Sequence, residues 1–381
     1  MHKIAKLTKL TLLLIAMTTM MSNVAIITTL PHLKEYFLDT KNIEFLSRLM
    51  ITLPSLSIAF LAPFLGHLIH KAGRHKSAVS ALFFFALTGS AGLYLESLEL
   101  ILFSRLLLGI TIAVLMIVST SLVGDYFQGE ARHKFMGVQS AFISLGGVFF
   151  VVGGGILSDI HWRYAFGIYL IGFLLIPFAL KFLDEKTKPV QDESEVDFNS
   201  NLMGVYLLAF LLMLVFYILP TQMPFLIINH FGASSTMAGG IIALAFLSNG
   251  LGALMFSKLK NRFSFQVVYL IGMAIIAVGF ILIGLVRDVE MFFLTSPIMG
   301  FGGGILMTNI SAWMLSRAHH TKRVKSSGYL TSSLFLGQFF SPIVFHPVVS
   351  YFGVQDFFIV VGIFLAFVLG SILIKNKMNK I

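Results

Sequence analysis

One arginine lies deep within an apolar stretch of the chain. Arg105 belongs to the run FSRLLLGITIAVLMIVSTSLVGDYF, 103–127, and lies about 10 Å along a helix that begins near Leu98. A charge at that depth in a bilayer costs roughly 2.5 to 3.5 kcal/mol unless it faces water, a partner or a substrate. All seventeen Asp and Glu residues fall in loops or at the ends of apolar runs. Arg105 therefore predicts a place where the chain meets water, a partner or a substrate.

The lack of a carboxylate within the apolar runs leaves several alternatives open. Protons could use His346 or an acid at a helix end, such as Glu35 or Glu44, or the substrate itself could balance Arg105. We expect an anionic or zwitterionic substrate rather than a bulky cation, because an uncompensated arginine repels a cation in a low-dielectric cavity. In a further alternative Arg105 extends outward to the lipid headgroups. That is the conformation we expect of Arg48, which lies near the outer end of its run.

Polar side chains also occur within other apolar runs, in both halves of the chain. Such residues either hydrogen-bond a neighbouring helix, worth about 0.6 to 2 kcal/mol, or line a cavity. The residues that we select as candidates for a substrate and proton cavity are Arg105, Asn23, Gln139, Gln222, Gln338 and His346. The remaining polar or amphipathic residues of this kind are Tyr217, Asn249, Asn309 and Trp313.

Motifs for bond-making chemistry are missing from the sequence. It has no cysteine, no phosphate-binding glycine loop and no pair of carboxylates within an apolar run. His319 and His320 are adjacent, so their side chains would diverge on a helix. The sequence therefore predicts neither an enzyme nor a cofactor or metal site, and it excludes a pump driven by ATP within this chain.

The composition places these residues in a membrane. Of the 381 residues 57% are hydrophobic and 12% are charged, and the mean hydropathy is +0.90. That is too much apolar surface for a water-soluble core. The net charge of +10 does not indicate nucleic-acid binding, because Lys and Arg form small clusters between apolar runs rather than one basic face. We therefore expect the lipid bilayer as a partner and no nucleic acid.

Twelve apolar runs are long enough to cross the hydrocarbon core, which takes about 20 helical residues. They are too long and too uniformly apolar to be strands of a membrane barrel. The predicted fold is therefore an all-α membrane protein with twelve transmembrane helices. Their predicted bounds are 8–30, 45–69, 77–95, 99–124, 135–157, 162–183, 202–229, 234–257, 265–286, 290–316, 324–350 and 355–375.

The distribution of basic residues predicts the orientation of these spans. With the N-terminus in the cytoplasm, twenty-one Lys and Arg residues fall on the cytoplasmic side and four on the other side. This asymmetry follows the positive-inside rule and predicts that both termini are cytoplasmic. The first apolar run lacks a small-residue cleavage site, so we interpret it as an uncleaved first span.

The sequence also contains an internal repeat. Displacing the chain by 191 positions aligns Gly109 with Gly300, and further glycines and basic residues stay aligned through two apolar runs and their connecting turn. A polar segment with six acids separates the two copies and reads as a solvated linker. We predict an N-terminal six-helix bundle at 1–183, a cytoplasmic linker at 184–201 and a C-terminal six-helix bundle at 202–381.

The turn after the second span, GHLIHKAGRHK at 66–76, resembles the signature loop of the major facilitator superfamily. That loop reads G, three residues, D, two residues, G, R and a base, and His70 stands where the aspartate is expected. The resemblance implies that Arg74 pairs with Asp125, at the end of the fourth span, and closes the cytoplasmic side in one state. With histidine at position 70 we expect this latch to be weaker or pH-sensitive. The implied cytoplasmic gate consists of Gly66, His70, Gly73, Arg74, Lys76 and Asp125.

Within the superfamily the chain looks most like the drug and metabolite efflux branch of twelve-span drug–proton antiporters. The segments MITLPSLSIAFLAPFLG at 50–66 and YILPTQMPFL at 217–226 carry this resemblance. Arg105 and Gly109 reproduce an R, three residues, G pattern that the branch associates with proton coupling.

The fifth span departs from the pattern of that branch. The branch has a Gly-Pro pair here, whereas this chain has Phe150 and Val151, and a proline stands at the aligned position of the second half. Glycines seven residues apart in this span lie on one helix face and allow a neighbouring helix to approach closely. The residues that we predict to shape helix packing are Gly109, Gly146, Gly147, Gly153, Gly154, Gly155 and Pro342.

The residues and the resemblance together predict a secondary transporter in a bacterial cytoplasmic membrane. Its two bundles would rock about a central site and export a drug or metabolite in exchange for protons by alternating access. One alternative is an importer or facilitated exchanger of an anionic metabolite. Another is a transporter-like receptor that moves nothing. We expect the protein to be a monomer.

Overall fold

Helices form the regular structure of the chain. The computed structural model describes residues 6–127, 129–183, 202–318 and 323–378, and within these ranges it contains no β-strand. The predicted all-helical fold class is therefore confirmed. The predicted linker at 184–201 lies outside the described residues.

The helix bounds follow the apolar runs of the sequence. The α-helices are α1 (Lys6–Val24), α2 (Leu33–Tyr36), α3 (Ile43–Ala72), α4 (Arg74–Gly89), α5 (Leu98–Tyr126), α6 (Gly129–Ile160), α7 (Ile171–Phe182), α8 (Met203–Phe216), α9 (Ile218–Pro224), α10 (Ser235–Lys260), α11 (Phe265–Gly284), α12 (Phe292–Arg317), α13 (Arg323–Phe352) and α14 (Val354–Met378). Short 3-10 segments extend several of them, at Ile27–His32, Ser90–Leu93, Trp162–Leu170 and Val289–Met291. A π-helical turn, Phe225–His230, follows α9.

Small residues determine several of these boundaries. The hydroxyl of Ser97 accepts a hydrogen bond from the amide of Leu100 at the start of α5, and Ser234 caps α10 in the same way. Such a cap satisfies an amide that has no partner within its own helix. Gly73 alone separates α3 from α4, and its φ of 88° is a conformation that favours glycine. Two predicted spans are therefore joined by a single-residue turn.

Eleven helical segments of the described residues are long and apolar enough to cross a membrane. Each of them overlaps one of the predicted spans from the second to the twelfth. Ser235–Lys260, for example, corresponds to the prediction of 234–257. The first predicted span corresponds to α1 and the 3-10 segment after it, which are not among the eleven. The count of twelve spans stays a prediction.

The described residues form two compact units, one on each side of the segment 184–201. In unit 1, which contains α1 to α7, α3 and α4 pack along α5, α1 packs on α5 and α6, and α4 packs on α7. In unit 2, which contains α8 to α14, α10 and α11 pack along α12, α8 packs on α12 and α13, and α11 packs on α14. The same helix pairs therefore recur, in the same order, within each unit.

Two glycines at the repeat distance make the same contact in the two units. A Cβ at Gly109 would overlap the carbonyl oxygen of Pro54, where α5 crosses α3. A Cβ at Gly300 would overlap the carbonyl oxygen of Ala245, where α12 crosses α10. Gly109 is 191 positions before Gly300, and Pro54 is 191 positions before Ala245. The repeat therefore extends from sequence to individual backbone contacts.

Glycines of α6 bring it close to the first helix of unit 1. A Cβ at Gly146 would overlap the side chain of Met17, and a Cβ at Gly154 would overlap the carbonyl oxygen of Ala25. Gly153, in contrast, has only one side chain within 4 Å of the position of such a Cβ, at 3.9 Å. Gly147, Gly155 and, in α13, Pro342 are buried.

Candidate functional site

Arg105 lies in the interior of unit 1, with none of its surface exposed. Its Nη2 atom donates hydrogen bonds to the carbonyl oxygens of Thr88 and Gly89, at 3.2 and 2.5 Å. These carbonyls belong to the last turn of α4, where the helix dipole is negative. The guanidinium therefore caps α4 from α5. A side chain extended outward to the lipid headgroups, one of the predicted alternatives, is not what the structure has.

Two aromatic rings complete the surroundings of Arg105. The guanidinium carbon lies 5.0 Å from the ring centroid of Phe166 and 5.2 Å from that of Tyr169, within the range of cation–π attraction. The rings also press on the end of α4: a Cβ at Gly89 would lie 2.5 Å from the ring of Tyr169, and one at Gly92 would lie 2.5 Å from that of Phe166. The phenol of Tyr169 donates to the carbonyl oxygen of Met21 in α1. Arg105 thus holds α4, α5 and the Trp162–Leu170 segment together, and Tyr169 connects them to α1.

No carboxylate neutralises Arg105 within the described part of the chain, where the ion pairs involve other residues. Backbone carbonyls and ring faces attract a cation but carry no net charge. The interior of unit 1 therefore keeps a positive charge at this point. Unit 2 has no equivalent, because the aligned residue is Ser296, whose hydroxyl donates to the carbonyl oxygen of Ile241 at 3.2 Å.

The prediction for Arg48 was wrong. Arg48 is 1% exposed and forms an ion pair with Glu44, at 3.7 Å between Nη1 and Oε2. Glu44 precedes it by one helical turn, a spacing at which opposite charges attract on a helix. Glu44 also pairs with Lys34 at 3.0 Å. Arg48 is therefore held inside unit 1 rather than extended to the headgroups.

The predicted gate residues lie at the turn between α3 and α4 and at the end of α5. Arg74, the first residue of α4, forms an ion pair with Asp125 near the end of α5, and their side chains are 22% and 21% exposed. This is the pair that the resemblance implies. Lys76 is exposed, and nothing lies within 4 Å of a Cβ placed on Gly66. The backbone of His70 is in α3, but its side chain lies outside the described part of the structure.

The predicted polar candidates fall into the two units separately. In unit 1, Gln139 donates from Nε2 to the hydroxyl of Ser119 at 2.7 Å and so joins α6 to α5, and Asn23 is half-buried near the end of α1. In unit 2, Gln222 is fully buried in α9, and Gln338 is half-buried in α13 with Nε2 3.6 Å from a methionine sulfur of α8. His346 is also half-buried in α13. Their membership of a substrate and proton cavity stays a prediction.

Each unit also has a helix end capped by a side chain that the sequence did not predict. Arg163 donates from Nη1 to the carbonyl oxygens of Gly92 and Leu95, at 2.9 and 2.7 Å. In unit 2, Gln355 donates from Nε2 to the carbonyl oxygens of Gly284 and Val286, at 3.1 and 2.7 Å. Both donors follow the loop before the last span of their unit, one residue away from strict alignment at 191. The signal in the sequence is that Arg163 and Gln355, both side-chain N–H donors, occupy nearly equivalent positions of the repeat.

Comparison with known proteins identifies the chain. The family model of the Major Facilitator Superfamily matches residues 12–205 and again residues 205–378. The chain belongs to this superfamily. It is a multi-pass membrane protein of this superfamily and not an enzyme.

Relatives within the superfamily include bacterial multidrug proteins. The chain is 33% identical over 135 residues to the multidrug transporter protein MdtP of Bacillus subtilis, which covers 34% of this chain and 25% of that protein. It is 27% identical over 175 residues to multidrug resistance protein 1 of the same organism, which covers 44% of each chain. The matches thus span less than half the length of these two relatives.

Solved structures of superfamily transporters share the fold over nearly the whole chain. A bacterial homolog of the human lysosomal transporter Spinster, in an inward-facing and occupied conformation, matches with a TM-score of 0.78 at 16% identity, covering 97% of this chain and 96% of that one. The D-xylose-proton symporter matches with a TM-score of 0.74 at 14% identity, covering 95% and 97%. At such identities the likeness concerns the fold alone.

Proposed function

We propose that the chain is a secondary transporter that exports a drug or metabolite in exchange for protons, by alternating access. Its relatives in Bacillus subtilis are named for multidrug transport and multidrug resistance, which supports efflux. We place the protein in a bacterial cytoplasmic membrane as a monomer with twelve spans and both termini cytoplasmic. The positive-inside asymmetry of the sequence supports this orientation.

The observation that carries the proposal is the ion pair between Arg74 and Asp125. It joins the start of α4 to the end of α5 at the membrane side predicted to be cytoplasmic. Both side chains are about one-fifth exposed, so water screens the pair and it contributes only about 0 to 1 kcal/mol. A contact of that strength can hold one conformation and still break during a transport cycle. We therefore propose that Arg74 and Asp125, with Gly66, His70, Gly73 and Lys76, form the cytoplasmic gate.

For the substrate and proton path we propose Asn23, Gln139, Gln222, Gln338 and His346, with Arg105 acting by its charge. Arg105 is fully buried against α4, so it would attract a negative group or repel a proton without direct contact in this conformation. A buried charge acts over longer distances than an exposed one because little water screens it. This role differs from direct substrate binding, and the two respond differently to substitution.

A second candidate function is facilitated exchange or import of an anionic metabolite. The positive charge of Arg105 favours it, because no carboxylate pairs with that guanidinium in the described ranges. An anion brought into unit 1 would supply the missing negative charge. The same charge would oppose the entry of a bulky cation.

Everted membrane vesicles from cells that express the chain separate these functions. With an imposed pH gradient, acid inside, an antiporter accumulates a fluorescent drug, and collapse of the gradient releases it. An exchanger of anions takes up a labelled organic anion in exchange for unlabelled anion loaded inside, regardless of the gradient. Movement of neither probe class, in vesicles that hold the protein, would favour the receptor alternative. A screen for thermal stabilisation by organic anions and lipophilic cations would choose the probes.

A further inference from the structure

Unit 2 contains a large apolar cavity that the proposed transport function does not use. Its volume is about 810 Å³, within the roughly 300 to 1,000 Å³ of ligand sites in general. It lies between α8 and α13 on one side and α11 and α14 on the other, with Trp313 of α12 at one end. Typical lining residues are Leu214, Tyr269, Met273, Trp313, Val361 and Phe364. We call it the unit 2 cavity.

The walls of the unit 2 cavity call for an apolar occupant. Its lining is aliphatic or aromatic except for Gln266, and the hydroxyl of Tyr269 already donates to the carbonyl oxygen of Leu208. Phe364 is 62% exposed and Leu211 39%, so the cavity opens to the surface of the unit. All four bordering helices belong to apolar segments long enough to span the membrane. The apolar solvent available to such an opening is the acyl-chain region of the bilayer.

A smaller residue in the repeat lies at the wall of the unit 2 cavity. In unit 1, Tyr169 is fully buried and its phenol reaches the carbonyl oxygen of Met21 in the first helix. The residue aligned with Tyr169 at the repeat distance is Val360, which lines the unit 2 cavity. A valine is too short to cross to α8 as the tyrosine crosses to α1. At this position unit 2 therefore has a small side chain where unit 1 has a buried ring.

The end of the unit 2 cavity at Trp313 carries positive charge. Trp313 stacks on Phe265, with ring centroids 5.9 Å apart and planes 6° from parallel. Lys260 lies over Phe265, 4.4 Å from Nζ to the ring centroid, and Arg317 lies over Trp313, 5.5 Å from Cζ to the centroid. In the ranges that the structure covers, neither cation has an ion-pair partner. Lys260 and Arg317 end their helices on the side predicted to be cytoplasmic.

We propose that an anionic phospholipid binds unit 2, with an acyl chain in the unit 2 cavity and its phosphate at Lys260 and Arg317. Basic clusters between spans on the cytoplasmic side attract anionic headgroups, and tryptophan favours the level of the headgroups. The apolar walls accept the chain, and the two cations select the charge of the headgroup. Neither feature alone would specify the ligand, but an apolar cavity that ends at two cations matches an anionic lipid.

Tryptophan fluorescence tests this site in the full-length protein. The chain has two tryptophans, so the Trp162→Phe variant leaves Trp313 as the only one. The protein is reconstituted in mixtures that contain phosphatidylglycerol or phosphatidylcholine with the same brominated acyl chain, since bromine quenches a tryptophan on contact. We expect stronger quenching by the brominated phosphatidylglycerol, reversed by an excess of unlabelled phosphatidylglycerol. Equal quenching by the two lipids, or reversal by a lipophilic drug cation instead, would overturn the proposal.

Further substitutions in the same background separate the two parts of the site. Val360→Tyr copies the residue of unit 1, takes up part of the cavity and should reduce quenching by both lipids. Lys260→Gln combined with Arg317→Gln should abolish the preference for phosphatidylglycerol while leaving some quenching. Lys181→Gln is the matched control, because Lys181 lies over the ring of Phe182 in unit 1, away from the unit 2 cavity, and it should change nothing. A preference that survives the double substitution would refute the role of the two cations. If Val360→Tyr does not fold, the double variant, which keeps the cavity, still tests the site.

Discussion

Arg105 of α5 donates a hydrogen bond to the carbonyl oxygen of Gly89, at a distance of 2.5 Å between Nη2 and O. The acceptor is the last residue of α4, so a buried cation satisfies the negative end of a neighbouring helix. The same guanidinium faces two aromatic rings of the Trp162–Leu170 segment. A residue expected for its charge alone therefore also holds three elements of unit 1 together.

Substitutions of Arg105 should separate its structural role from its charge. Arg105→Ala removes the charged hydrogen bonds to the carbonyls of Thr88 and Gly89, which should lower the free energy of unfolding by about 1.5 to 3 kcal/mol for each bond lost. Arg105→Gln keeps a hydrogen-bond donor but no charge. Arg105→Lys keeps the charge but not the planar set of N–H donors of the guanidinium. Thermal unfolding in detergent measures the stability and vesicle uptake measures the transport. We expect Arg105→Lys to retain more transport than Arg105→Gln at similar stability. Equal transport by these two variants would show that the charge has no part in function.

The helix crossings at Gly109 and Gly300 should respond alike to added volume. Either glycine changed to alanine places a methyl group against a backbone carbonyl of the crossing helix, which cannot rotate away. Overpacking of this kind costs about 1 to 3 kcal/mol, so both variants should melt at a lower temperature than the wild type. Gly137→Ala is the control, since nothing lies within 4 Å of the position of its Cβ. If Gly109→Ala and Gly137→Ala have the same melting temperature, the close approach of α5 to α3 is wrong.

Exchange of the charges at Arg74 and Asp125 tests the gate. Arg74→Asp and Asp125→Arg, taken singly, place like charges together and should abolish most transport while the protein still inserts. The double exchange restores an attractive pair and should recover a substantial part of the transport. Lys71→Gln, an exposed lysine near the same turn, serves as the control. Single variants that transport as well as the wild type would remove the pair from the mechanism.

The cap formed by Gln355 in unit 2 predicts how unit 1 should respond to a substitution of Arg163. Gln355 satisfies the carbonyls of Gly284 and Val286 with an amide, where Arg163 uses a guanidinium for Gly92 and Leu95. Arg163→Gln should therefore stay within about 1 kcal/mol of the wild type, the typical net worth of one hydrogen bond.

Arg163→Ala is the comparison for that cap. It leaves two acceptors without a donor and should be clearly less stable than Arg163→Gln in the same thermal assay. Equal melting of the glutamine and alanine variants would show that this cap contributes nothing.

The spans and their packing glycines were accessible from the sequence because both follow from regular patterns. Apolar runs of about 20 residues mark helices that cross a bilayer, and the contacts of Gly109 and Gly300 recur at the repeat distance. Breaks within the spans were not predicted. The sixth span begins as the 3-10 segment Trp162–Leu170 before α7. The sequence did not predict this change, because an apolar composition does not distinguish a 3-10 helix from an α-helix.

The partners of the buried arginines were harder to predict, for two different reasons. The hydrogen-bond acceptors of Arg105 are backbone carbonyls, which every residue has, so no side chain marks them in the sequence. The partner of Arg48 was visible, because Glu44 lies one turn before it, but Glu44 was considered as a carrier of protons instead. The unit 2 cavity was not predicted, because no motif marks it. The sequence shows only differences in side-chain size, such as that between Tyr169 and Val360.

The proton coupling itself is the central claim and can be measured on the purified protein. Proteoliposomes that contain only this chain and an internal pH-sensitive dye are exposed to a substrate chosen by thermal stabilisation, with no gradient imposed. An antiporter should move protons in the direction opposite to the substrate, so the internal pH changes as substrate enters, and the Arg74→Asp variant should show no such change. Entry of the substrate at the wild-type rate with a constant internal pH would contradict the account.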